Sequence, residues 1–314
     1  MFNLSSLRLN RHWLAYFALW CSGIITILVC LGIILFLAIR GIHAINWQFF
    51  ITDPKPSMSE ALSGGILAPL IGTVLLIVLG ILFALPWAGA TAIYLAEYAG
   101  QNRLVDALRT GIDVLAGVPT IVFAIFGLAV FTMPRFAFLS TMVEGVTNAQ
   151  AFGRSFFVAA LTMSMMILPF VIKSIEESLR SVPPAYREAS FALGASRWST
   201  ITSVILPAAR AGIMTGVILG IGRIAGDTAI VWLCLGGSMT MGGGQNWWMP
   251  GHWLSTLRHT GSTLTSFIYF SSPAGEGNSP GKAFGAGLVL IVIILVLNAI
   301  VSYLGSLNAI EEDR

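Results

Sequence analysis

Long unbroken apolar runs, separated by short polar segments, set the pattern of this chain. Six runs stand out: Leu14–Ile39, Gly65–Ala96, Val114–Met133, Ser155–Ile175, Ala211–Leu235 and Ala283–Leu307. A helix needs about 20 apolar residues to cross the hydrocarbon of a bilayer. The runs are continuous rather than alternating, and backbone groups in lipid must be paired internally, so helices rather than barrel strands are predicted. The expectation is an all-α integral membrane protein with six transmembrane helices. Pro86 falls inside the second run, where it removes one helix hydrogen bond. Pro119 and Pro169 fall near the ends of the third and fourth runs.

Composition agrees. Apolar residues make up 56% of the 314 residues and charged residues 10%, against about a quarter charged in a soluble domain. The first run is far longer than a signal-peptide core of about 7–15 residues, which predicts a retained anchor. Cys21, Cys30 and Cys234 lie inside apolar runs and suggest no disulfide framework. His12, His43, His252 and His259 have no metal-ligand spacing, so no metal site is expected. A nucleotide-binding loop would need Gly-x-x-x-x-Gly-Lys-Ser/Thr. The one Gly-Lys, Gly281-Lys282, has Glu276 where the first glycine belongs and Ala283 where the hydroxyl belongs. No nucleophile, base and oxyanion constellation appears either, so the chain reads as a non-enzyme with no cofactor of its own and no nucleic-acid partner.

An even number of spans puts both termini on one side. With the N-terminus inside, inner segments carry Arg8, Arg11, Arg103, Arg109, Arg180, Arg187, Arg197 and Arg210, and outer loops carry Arg40, Lys55, Arg135, Arg154, Arg258 and Lys282. The excess favours cytoplasmic termini. The long connection Gly236–Lys282, with Trp247, Trp248 and Trp253, reads as an external loop along the membrane interface, and Gly242-Gly243-Gly244 as loop punctuation. Glu97, Arg103, Asp106 and Arg109 read as a solvated inner loop, and Asp113 as a helix cap.

Two polar segments carry the candidate chemistry. Between the fourth and fifth runs, Pro183-Pro184 stops one helix. A short helix over Ala185–Leu193 can follow, with Gly194 as its stop. Tyr186, Ala189 and Leu193 share a face by three-and-four spacing. Ser196 or Ser199 can start the next helix. A docking element for a soluble partner and a plain solvated loop both fit this pattern. The second segment, Gly222-Arg223-Ile224-Ala225-Gly226-Asp227-Thr228-Ala229, falls near the middle of the fifth run. An arginine at the bilayer centre costs about 2.5–3.5 kcal/mol on insertion scales, and such ions mark aqueous paths or partners. Asp227 is one helical turn on and can pair with Arg223. Gly222 and Gly226 clear space for another helix or a ligand. The guanidinium fork fits tetrahedral oxyanions. A buried Arg–Asp pair that only fixes packing is the alternative.

Glu188-Ala189-Ser190, three residues, Gly194, nine residues, then Val204-Ile205-Leu206-Pro207 resembles the EAA loop of ABC importer permeases, with Ser190 for alanine and Val204 for isoleucine. In that family the loop is a coupling helix seated in a groove of a cytosolic ATPase, a helix-in-groove mode. Arg223-Ile224-Ala225-Gly226-Asp227-Thr228-Ala229 resembles Arg-x-Ala-Gly-Glu-Thr-Ala of phosphate importer permeases of the PstA type. Asp227 replaces the glutamate, and Ile230 stands where proline is common. Tyr94–Ala99, Leu115–Val122 and Ser181–Ala189 also resemble that family, and the likeness runs from about Gly64 to the end.

The resemblance implies a type I ABC importer permease fold. It divides the chain into an N-terminal segment, 1–63, and a permease domain, 64–314, with the coupling loop at about 178–207. It implies substrate translocation by Arg223 and Asp227, and ATPase docking by Tyr186, Glu188, Ala189 and Gly194. The implied partners are a PstC-like second permease, a PstB-like ATPase dimer that uses ATP and magnesium, a PstS-like external binding protein, phosphate and membrane lipid. The implied location is the bacterial cytoplasmic (inner) membrane. An ABC permease for another oxyanion or small solute, or a stand-alone secondary transporter, is the competing expectation.

Overall fold

The computed structural model describes residues 4–55, 64–100, 102–141, 151–237, 252–273, 275 and 279–306. Trp247, Trp248, the glycine tract 242–244 and Glu276 lie outside the described residues. The described chain is helical, with one isolated bridge between Pro54 and Gly64.

Helix α1 (Leu4–Gly41) is followed by a single turn, Ile42–Ala44, and by α2 (Trp47–Ile51), whose N-cap Asn46 accepts a hydrogen bond from Phe49 N at 2.8 Å. Helix α3 (Leu67–Ile93) contains Pro86 and ends in a widened π turn, Tyr94–Tyr98. Then come α4 (Arg103–Ala116), α5 (Thr120–Phe131) and α6 (Phe156–Ser181). The polar segment forms α7 (Pro184–Ala192) and α8 (Arg197–Thr200), and a second π turn, Ile201–Ile205, leads into α9 (Leu206–Ala208). Helix α10 (Arg210–Gly226) is followed by a π turn at Val231–Leu235, then α11 (Trp253–Arg258), α12 (Leu264–Ser271) and α13 (Pro280–Ser306).

Four of these helices are long and apolar enough to cross a membrane, and two bent pairs raise the number to six if each pair is one span. The expected six runs are therefore present, but two are not straight. The third run is split by Gly117-Val118-Pro119, and α4 and α5 meet at 101°. The residue before a proline is pushed out of the helical region, which ends α4 before Pro119 and restarts the chain in a new direction. Pro169, expected near a helix end, instead lies inside α6 and is buried. The fifth run also breaks. Its α10 portion meets the α8–α9 segment at 69° and stops at Gly226.

The core is built on α6, with α3 and α10 against it. Phe156, Met163, Ile167, Ile172 and Ile175 of α6 are fully or almost fully buried, with Leu76 of α3 and Ile221 and Ile224 of α10. Small residues allow this approach. A Cβ on Gly212 would collide with Ser178 of α6, and one on Gly216 would lie 3.2 Å from Ser174. Helices in lipid associate through such close backbone contacts, since apolar burial alone drives nothing there. Helix α1 is exposed along its apolar run. It packs on α13, where Gly41 meets Phe284 and Gly285.

Two local expectations are corrected. Asp113 caps no helix. It lies inside α4 and pairs with Lys173 of α6, and the cap of α4 is Asn102, which accepts from Val105 N at 2.9 Å. The connection after Gly236 is not simply an external loop. Ser262, Thr263, Leu264 and Ser266 are buried at 2% exposure or less, and Leu264 N donates to Thr73 Oγ1 of α3 at 2.8 Å. A capping box between Thr263 and Ser266 starts α12 there, so a polar sequence is folded into the bundle.

Candidate functional site

The first candidate site is the break in the fifth run. Arg223 lies in the last turn of α10, where a cation suits the negative end of the helix dipole. Asp227 lies just past the helix end in extended conformation (φ −77, ψ 136). Its carboxylate accepts from Ile230 N at 2.8 Å, so it caps the next turn. The Thr120 side chain at the start of α5 lies beside the same carboxylate. Thr265 Oγ1 of α12 donates to the Asp227 carbonyl at 3.3 Å. Cys234, in the π turn after the break, donates to the Ala124 carbonyl of α5 at 3.4 Å. The broken third and fifth runs thus meet, which brings helix ends and polar groups to one place inside the bundle.

The expected Arg223–Asp227 pair does not form. Among the described residues Arg223 makes no ion pair or hydrogen bond. Its guanidinium instead stacks on Phe170 of α6, 3.4 Å from the ring centroid. The pairing expectation assumed a continuous helix, and the helix ends between the two residues. Asp227 is buried at 8% exposure while Arg223 is exposed. Gly222 and Gly226 flank it on the open side, and a Cβ at either would meet nothing within 4 Å. The alternative of a buried Arg–Asp packing pair does not fit this arrangement. Among the described residues the glycines pack against no helix, and they leave a clear approach to the arginine.

The second candidate site is α7. Pro183 and Pro184 start it, and it ends as the sequence predicts. Gly194 has φ +78. Ala195 N donates to Ser190 O at 3.2 Å and Gly194 N to Phe191 O at 2.9 Å, which is a Schellman ending. Ser196 caps α8 by accepting from Ser199 N at 3.2 Å. No residue of α7 is buried. Tyr186, Glu188 and Ala189 are exposed, and so are Phe191, Trp198 and Leu193, the last at 90%. Glu188 makes no ion pair among the described residues. An exposed apolar and aromatic face rimmed by polar groups marks an interaction surface.

Beneath α7 lies a polar network that includes Glu97 and Arg109, two of the four residues expected in a solvated inner loop; the other two, Arg103 and Asp106, are exposed as expected. Arg187 meets Glu97 at 2.7 Å, and Glu176 meets both Arg109 at 3.1 Å and Arg180 at 2.9 Å. The Leu95 carbonyl accepts from Arg109 at 3.2 Å and from Arg180 at 3.3 Å. The signal for Glu97 and Arg109 was weak. Their partners are 90 and 67 positions away in sequence, and the π turn that presents Leu95 and Glu97 has no simple sequence signature.

The family described as "Binding-protein-dependent transport system inner membrane component" matches residues 88–307. A probable ABC transporter permease protein of Bacillus subtilis (strain 168), YqgI, is 30% identical over 290 residues, covering 91% of this chain and 92% of its own length. The phosphate transport system permease protein PstA 1 of Mycobacterium tuberculosis (strain ATCC 25618 / H37Rv) is 33% identical over 241 residues, covering 77% and 70%. PstC 2 of Mycobacterium bovis, also described as a phosphate transport system permease protein, is 30% identical over 295 residues, covering 88% and 86%. Among solved structures, a chain of a bacterial alginate ABC transporter in complex with an alginate pentasaccharide-bound periplasmic protein aligns with a TM-score of 0.62 over 98% of both chains, at 19% identity, a likeness of fold.

Proposed function

Since the chain belongs to the family of binding-protein-dependent transport system inner membrane components, and is thus an ABC transporter permease, we propose that it is the PstA-like permease subunit of an ATP-driven phosphate importer. The observation that carries the substrate assignment is Arg223: unpaired among the described residues, over the Phe170 ring, and open to approach beside Gly222 and Gly226. A planar fork of donors inside a bundle suits a tetrahedral oxyanion. Its lack of built-in partners keeps binding weak enough for release, as conduction requires. Relatives described as phosphate permeases support the same choice.

In this reading α7 docks on a PstB-like ATPase dimer, which binds ATP and magnesium. A PstC-like permease completes the path against the open glycine face, and a PstS-like protein delivers phosphate from outside. Asp227 does not grip Arg223. It holds the broken helix so that the arginine stays clear. Both termini lie on the docking, cytoplasmic side. Packing supports this: Gly305 near the end of α13 meets Met214 near the start of α10, while Gly41 at the far end of α1 meets Gly285 near the start of α13.

The test is phosphate uptake and phosphate-stimulated ATP hydrolysis by the reconstituted four-component complex, with Arg223 intact and as Arg223→Gln. The expected result is that the variant assembles and loses both. Undiminished uptake by the variant refutes the role of Arg223. Stimulation of the wild type by another oxyanion and not by phosphate refutes the substrate.

A further inference from the structure

We propose that Arg187 is the positioning residue that fastens the docking helix to the membrane body, with Glu97 as its counter-ion, and that motion of α7 reaches the Arg223 site through this joint. The inference rests on the docking reading above. Apart from its chain ends, α7 packs mainly on α8 and the π turn Ile201–Ile205 of its own loop among the described residues. It buries no residue, and its other side-chain hydrogen bond among the described residues is Ser190 to Thr200 at 2.9 Å, which stays within the coupling loop.

Arg187 is different. Its Nε donates to both Glu97 oxygens at 3.3 Å, and Nη2 donates to Glu97 Oε1 at 2.7 Å and to Leu179 O at 2.8 Å. Nη1 donates to Val182 O at 2.7 Å. The two carbonyls belong to the end of α6, where C=O groups lack intrahelical partners and favour a cation. The side chains of Arg187 and Glu97 are only 21% and 12% exposed, so water screens the pair poorly. One guanidinium thus joins three elements: α7, the end of α6, and the π turn that ends α3. The fork geometry is required, because an ammonium cannot meet a carboxylate edge and two separate carbonyls in one plane.

From α3 the route continues by packing. Gly80 of α3 lies against Ile224 of α10, so closely that a Cβ on Gly80 would come within 2.7 Å of the Ile224 Cδ1. Ile224 is the residue after Arg223. A shift of α3 relative to α6 therefore bears directly on the last turn of α10. Spatial continuity alone does not establish coupling, so the readout has to be movement at the far end.

The experiment uses the assembled complex with Gly222→Cys as a reporter, in a background where Cys21, Cys30 and Cys234 are alanine. Position 222 has open space, so a water-soluble maleimide reads its exposure with and without ATP. With Arg187 and Glu97 intact, ATP should change the labelling rate by about fivefold or more, the scale of an allosteric coupling. In Glu97→Gln and in Arg187→Lys the ATPase should still co-purify and hydrolyse ATP, while the ATP-dependent change in labelling disappears. The double charge reversal Glu97→Arg/Arg187→Glu should not restore it, because the new carboxylate would face the Leu179 and Val182 carbonyls. An unchanged response in both single variants overturns the proposal, as does loss of ATPase binding in both, which would make the pair a structural anchor only. Failure of the wild-type chain to co-purify with the ATPase refutes the docking reading instead.

Discussion

Gly194→Ala isolates the ending of α7, the proposed docking helix. Gly194 sits at φ +78, and a Cβ there would meet no atom within 4 Å. The substitution therefore adds no clash, and its cost is conformational, about 1–2 kcal/mol for an L-residue in the left-handed region. The site is exposed and bounded by only two closing hydrogen bonds, so the free chain can relieve the strain by letting the last turn of α7 open. Docking must then close it again and absorb the same cost. At 1.4 kcal/mol per factor of ten, the affinity for the ATPase should fall by about 5- to 30-fold. Gly194→Asn, which tolerates the left-handed region better, should lose less. The assay is a binding titration of the permease pair with the purified ATPase in detergent, together with the thermal midpoint of the permease alone. The midpoint should hardly move, because nothing in the core depends on this turn. Affinity within twofold of wild type for Gly194→Ala refutes the reasoning. An asparagine variant as weak as the alanine one would mean that the glycine is needed for close contact rather than for its backbone angle.

Two further outcomes separate packing from path. Gly212→Ala should destabilise the bundle by about 1–3 kcal/mol, because its Cβ collides with Ser178. Gly222→Ala should change stability by less than about 0.5 kcal/mol, read by thermal unfolding in detergent. Equal effects would mean that the glycine face of α10 is packed elsewhere. Asp227→Asn keeps an oxygen for Ile230 N and should leave the fold intact, while Asp227→Ala removes the cap and should cost about 0.5–2 kcal/mol. Equal stability of these two variants would remove the capping role.

The coupling segment was legible because its signals are local. Pro183-Pro184 can only end one helix and begin another, and Gly194 supplies a backbone angle that few residues accept. Those features act on their immediate neighbours whatever the fold, and the structure reproduces helix, stop and next cap within a residue or so. The network under α7 was illegible for the opposite reason. Glu97 and Arg109 look like any polar loop residues until α3, α4 and α6 are brought side by side, and the π turn at Tyr94–Tyr98 that carries Glu97 and the Leu95 carbonyl follows from no residue pattern. The run after Gly236 misled in the same way. Ser262, Thr263 and Ser266 look solvated, yet they are buried: Thr263 and Ser266 cap one another, and the adjacent Leu264 N donates to Thr73 Oγ1 of α3.

The Arg223–Asp227 region shows how a spacing rule fails at the proposed translocation site. The four-residue interval predicts a pair only if the helix continues through both positions, and the apolar run gave no sign that it stops. Hydropathy measures composition, not direction, and a broken span is as apolar as a straight one. Charge gives the better clue. A continuous lipid-facing helix carrying an arginine and an aspartate would have to neutralise them against each other, since either alone costs about 2.5–3.5 kcal/mol at the bilayer centre. The break gives each a different partner: the helix end and Phe170 for Arg223, the next N-terminus for Asp227. The carboxylate is then occupied and the guanidinium is not. A locked ion pair would have offered an incoming anion a neutral surface. The break leaves the cation exposed, as the proposed oxyanion path needs.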